Sequence, residues 1–82
     1  MIDLRPLNAD LAASGSNQPE RVVALIMACL GEDLTDGSTI VRTISALGYN
    51  KRHVGIQLST NAGTNPDRSL WQRLNDGTYK LH

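Results

Sequence analysis

The sequence predicts a mainly helical domain closed by a small antiparallel β-hairpin, and three observations carry that prediction. Apolar residues recur at spacings of three and four through residues 22–47, the period of a helix with one buried face. Each such stretch opens on a residue suited to capping a helix. The chain ends in two short segments around Asn75-Asp76-Gly77, a hairpin signature.

Size and composition frame these elements. Eighty-two residues leave room for one domain and one modest core. A hydrophobic content of 40% with 20% charged residues is that of a folded chain and too apolar for a disordered one. The longest nearly unbroken apolar run, residues 22–30, falls well short of the roughly 20 residues a membrane helix needs, so no membrane span is expected. The opening MIDLR lacks the basic-then-apolar order of a secretion signal, and the single cysteine, Cys29, leaves no internal disulfide. Both point to a reducing, cytoplasmic setting.

Residues 1–16 show no sustained period and end in Ser-Gly-Ser, which reads as an N-terminal arm. Leu4, Leu7 and Leu11 suit a helical turn packed on the domain, and a flexible tail is the other reading. The domain proper spans residues 17–82. Asn17, Pro19 and Glu20 form a capping-box pattern that starts a helix, whose apolar stripe is Val22, Leu25, Ile26, Cys29 and Leu30. Gly31 closes it, as a residue tolerant of positive φ, and Cys29 reads as a packing residue.

After a turn over residues 32–37, Asp36 or Ser38 caps a second helix with Ile40, Val41, Ile44 and Leu47 inward, ending at Gly48. Asn50 caps a third helix over about 50–60, and so short a connection makes the two cross sharply. Val54, Ile56 and Leu58 alternate, which also fits a strand; the cap and the Gly48 turn favour helix. Residues 59–69, with Asn61, Gly63, Asn65, Pro66 and Asp67, read as a loop.

The hairpin admits two registers. A two-residue turn at Asp76-Gly77 puts Leu70, Leu74, Tyr79 and Leu81 on a core face and Trp71, Arg73, Lys80 and His82 on a basic one. A three-residue loop at Asn75-Asp76-Gly77 shifts that partition. Trp71 is correspondingly either an exposed anchor or a core residue.

Residues 44–54 (ISALGYNKRHV) look like the bacterial helix-turn-helix pattern, with Gly48 at the turn, apolar Tyr49 after it and β-branched Val54 six positions beyond. Residues 70–81 (LWQRLNDGTYKL) resemble a wing: an aromatic strand, a Gly turn and a Tyr-basic-Leu strand. Together these resemble the winged helix-turn-helix superfamily, a three-helix core plus a C-terminal wing. Gln57 stands where that pattern usually has an apolar residue, and the wing tip carries an acid, ill suited to a phosphate-lined minor groove.

The resemblance implies a transcriptional regulator that binds double-stranded DNA, with the third helix in the major groove and homodimerisation as a means of strengthening specificity. Asn50, Lys51, Arg52 and His53 would stand in the first turn of the reading helix, Arg52 best placed for guanine. Ser38 and Thr39 would offer hydroxyls and backbone N–H groups to a phosphate, and Arg68, Arg73 and Lys80 further phosphate contacts.

Formal net charge is zero, but it is unevenly spread. Residues 1–41 carry two basic against six acidic side chains, minus four, and residues 42–82 carry six against two, plus four. Such a dipole suits a basic DNA-facing surface, whereas the overall neutrality suits the alternative, a winged-helix module that binds protein through Trp71, Ile56 and the arm. No pattern suggests an enzyme, a cofactor or a metal: the two histidines are far apart, no CxxC or His-x3-His spacing occurs, and the glycines are scattered singly.

Overall fold

A computed structural model of the chain describes residues 3–65 and 67–82; Met1, Ile2 and Pro66, counted above in the arm and the loop, lie outside the described residues. Among the described residues, four helices precede a two-stranded antiparallel sheet: α1 (Arg5–Ala13), α2 (Gln18–Gly31), α3 (Gly37–Ser45), α4 (Lys51–Thr60), β1 (Trp71–Arg73) and β2 (Tyr79–Leu81). None of these helices is long and apolar enough to cross a membrane.

Of the two readings open for the arm, the structure takes the packed helix. Leu4 is buried and Leu7 and Leu11 are half-buried, a stripe that lies against α2. Tyr49, just ahead of α4, donates its hydroxyl hydrogen to Asn8 Oδ1 on α1. Three helices therefore become four.

α2 begins as its capping box dictates: Asn17 Oδ1 accepts the Glu20 N–H at 2.9 Å, and Asn17 Nδ2 donates to the Glu20 carboxylate at 3.1 Å. All five residues of its predicted stripe are buried. Its exit differs from expectation. Gly31 stays helical, and Asp33 takes the left-handed conformation (φ 63°), so that the Leu34 N–H closes back on the Cys29 carbonyl at 2.9 Å.

Asp36, and not Ser38, caps α3, and Ile40 and Ile44 face the core while Val41 and Leu47 are half-buried. Helical geometry stops at Ser45, and turns lead to Gly48, whose φ of 105° reverses the chain at little steric cost. Asn50 Oδ1 then accepts the Arg52 and His53 N–H groups at 2.8 and 3.3 Å, and α4 follows as a helix with Val54 and Leu58 buried. Period two in Val54, Ile56 and Leu58 loses to the cap, since Ile56 points outward at 50% exposure.

The hairpin takes the three-residue loop. Trp71 pairs with Leu81, Gln72 with Lys80 and Arg73 with Tyr79, and the Leu74 N–H bonds to the Thr78 carbonyl at 2.8 Å. Trp71, Tyr79 and Leu81 therefore share the inner face, while Leu70 and Leu74 are exposed, which corrects the two-residue partition. Its physical cause is Trp71. The fully buried indole donates Nε1–H to the Leu58 carbonyl at 2.8 Å, near the end of α4. The helical donor for that carbonyl, the Ala62 N–H, bonds to Ser59 instead, so the indole satisfies an orphan acceptor of the helix end.

A third segment joins the sheet. Asp36 bridges Thr78, and the Tyr79 N–H donates to the Thr35 carbonyl at 2.9 Å, which fastens the α2–α3 connection beside β2. The core gathers Leu25, Ile26, Ile40, Ile44, Val54 and Trp71 from α2, α3, α4 and β1, and the buried residues include no polar or charged side chain among those described.

Candidate nucleic-acid interface

α4 is anchored through Val54 and Leu58, so its outward side is set by helical spacing: Arg52, Ile56, Ser59 and Thr60 are all exposed. Lys51 is exposed too and begins the flank that faces α3 and the hairpin. On that flank a groove of about 760 Å³ runs between the first turns of α3, one side of α4 and the hairpin tip. Arg42, Lys51 and Arg73 line it together with Asp36 and Asp76.

The groove explains two glycines. A Cβ on Gly37 would stand 2.9 Å from the Tyr79 ring, so the missing side chain lets the hairpin close against α3. At Gly55 a Cβ would meet nothing within 4 Å, so packing does not require glycine there. A glycine inside a helix costs about 0.5–1 kcal/mol relative to alanine, and what it leaves here is a stretch of bare backbone between Lys51 and Ser59 on the groove side.

The predicted site residues divide. Ser38, Lys51 and Arg73 come together in the groove, and Arg52 stands on the outer side of the same first turn of α4. Asn50 is exposed at the head of that turn, but its side-chain oxygen is committed to the cap. Thr39 is also engaged: its N–H and hydroxyl both donate to Asp36 Oδ2, at 3.0 and 2.8 Å, so the N–H it was to offer a phosphate is taken. His53 turns away from its neighbours. It is half-buried, and its Nε2 is enclosed without a hydrogen-bond partner among the described residues, which suits packing better than base reading.

Arg68 is exposed in the loop before β1, outside the groove lining. Lys80 lies on the opposite hairpin face from Arg73 and lines a separate depression with Leu74 and Leu81. The two arms of the wing thus present their cations to different sides.

Three residues at this surface were not among the predicted site residues. Arg42 lies one helical turn after Ser38, a spacing that places both on one face of α3 and could have revealed it. Asp36 brings a carboxylate held below the usual range, chiefly by its hydrogen bonds from Thr39 and further by the charge of Arg42. Asp76 is held down in the same way by Thr78, whose hydroxyl and N–H both donate to it. Three cations therefore face two firmly ionised carboxylates in the groove.

Direct pairing does not quench the cations. Among the described residues, Arg5 with Asp3 forms the one ion pair, at 2.9 Å at the start of α1, far from α4 in sequence. Arg42, Lys51, Arg52 and Arg73 have no carboxylate within salt-bridge distance among the described residues. No group of three or more potential metal ligands is gathered among the described residues either. No protein-family model, curated protein or solved structure matches this chain.

Proposed function

We propose that this chain is a winged helix-turn-helix protein that binds double-stranded DNA, with α4 entering the major groove, and that it acts as a transcriptional regulator without catalysis. The observation that carries the reading is the outward face of α4: a capped helix start bearing Lys51 and Arg52, both exposed and unpaired among the described residues, above the cations Arg42 and Arg73. Element order supports it as well. A helix, a segment bridged to the sheet, a helix, a tight turn, a helix and a hairpin follow one another in the order of a winged helix. α1 is an addition to that order.

Arg52 would make paired hydrogen bonds to guanine, whereas Arg73, the wing cation on the groove side, would meet phosphate alone. On a preferred duplex, Arg52→Ala should cost roughly 1–3 kcal/mol and flatten the preference among sequences. Arg73→Ala should weaken all duplexes alike and lower the salt slope by about one. Unchanged binding by both folded variants would remove the DNA reading.

A protein-binding module is the second reading, and a specific feature favours it. Met27 and Leu70, 40% and 41% exposed, border a shallow apolar depression with Val23 and Ala24, on a side of the molecule that α4 does not provide. Absence of duplex binding at low salt would turn attention to that patch.

A further inference from the structure

Ile56 is the most exposed of the large apolar residues among those described, at 50%, and the core makes no use of it. Val54 and Leu58 already anchor α4, so an outward isoleucine adds nothing to the packing. It stands one turn beyond Arg52 on the same side of the helix, between Gly55 and Gln57, with exposed Ser59 and Thr60 one turn further on. On α4 the other exposed residues are Lys51, Arg52, Ser59 and Thr60, none of them bulky and apolar, which makes a broad apolar interface along this helix a poor fit and a single small apolar contact a good one.

We infer that Ile56 is a specificity-determining residue that packs on the 5-methyl group of a thymine, so that the preferred duplex carries a T·A pair close to the guanine read by Arg52. The inference rests on the DNA-binding reading above. In the major groove the thymine methyl is the one apolar feature that distinguishes base pairs, and it takes aliphatic partners. Four residues of helix span about 6 Å, and base pairs rise 3.4 Å along each strand. Arg52 and Ile56 therefore reach pairs about two steps apart. Gly55, next to Ile56 on the groove side, adds no side chain that would hold the helix off a duplex. Arg52 on this side of α4, with Lys51 at the head of the adjoining flank, supplies the complementary charge that brings a polyanion to this face.

The test begins with a randomised synthetic duplex library, in which a 5-methyl occurs on thymine alone, passed over the full chain at low salt. The enriched duplex is then remade with deoxyuridine in place of each thymine, a change that deletes one methyl and keeps every hydrogen-bonding group. One position should weaken binding about three- to fivefold, the worth of one buried methyl. Ile56→Ser should bind the thymine duplex with a similar loss and be indifferent to deoxyuridine at that position. Since Ile56 is half exposed, the variant keeps its fold, checked by an unchanged Trp71 emission spectrum. If every deoxyuridine duplex binds as its parent does, or if the loss persists in Ile56→Ser, the inference is wrong while an Arg52-dependent guanine preference would leave the DNA reading standing. If no sequence is enriched and no duplex is bound, both fall together.

Discussion

At Cys29, burial alone removes the reactivity a lone thiol would otherwise have. The side chain sits in the buried α2 stripe, in the last turn of the helix, and desolvation pushes its pKa up to about 11. At pH 8 the native protein should resist alkylation by iodoacetamide for hours, and denaturant should release one fast-reacting thiol; rapid labelling of the native chain would place Cys29 at the surface. Asp36 shows the opposite shift. Because its folded-state pKa is lowered, the stability it confers is present above the usual carboxylate value of 3.8 and is lost as the pH falls through the depressed folded value. Asp36→Asn keeps a capping oxygen but removes the titration, so its melting temperature should decline less steeply below pH 4 than that of the parent. The sequence alone left Asp36 and Ser38 as rival caps, since both types suit the position. The choice comes from the Asp36–Thr78 bridge, a contact across 42 positions of sequence that no local pattern displays.

Local signals were strong enough for α2, α3 and α4, each of which has a cap and an apolar spacing written into a dozen residues. They were too weak for α1, a nine-residue helix with no side-chain cap hydrogen bond, whose leucines find their partners only when α2 is folded. The hairpin itself was legible, but its register stayed open for a different reason. Asn75-Asp76-Gly77 fits either loop length, and only the fit of Trp71 beneath α4 decides between them. That dependence is testable, since Trp71→Phe preserves most of the apolar volume but removes the donor to the Leu58 carbonyl. The variant should lose about 1–3 kcal/mol in denaturant unfolding, the cost of a buried acceptor left unsatisfied. A change under about 0.5 kcal/mol would mean that water or another donor reaches that carbonyl. On the site, the sequence disclosed Lys51, Arg52 and Arg73 as candidate cations, but not the two carboxylates that share the groove with Arg73, because proximity in the groove is a property of the folded hairpin.

For the whole molecule, the uneven charge along the chain only partly becomes an uneven surface, because Asp36 from the acidic half and Asp76 at the hairpin tip are folded in among Arg42, Lys51 and Arg73. The outer side of α4 is free of them, which leaves Arg52 as its unopposed charge, while Lys51 shares the groove with both carboxylates. α4 itself is held at both ends by distant parts of the chain: Tyr49, before its first turn, is tied to Asn8 on α1, and Leu58, near its last turn, is tied to Trp71 on β1. Only Val54 and Leu58 of its own side chains are buried, so the helix has little private stability. Its amides should therefore exchange with solvent through the same cooperative opening as α1 and the hairpin, and not through independent fraying. Asn8→Ala, a substitution far from α4 in sequence, should accelerate hydrogen–deuterium exchange at the amides of Val54, Ile56 and Leu58 about as much as it does within α1. If only α1 responds, the two helices open separately, and the surface that α4 presents owes its persistence to its packing on α2 and α3 and to the hairpin.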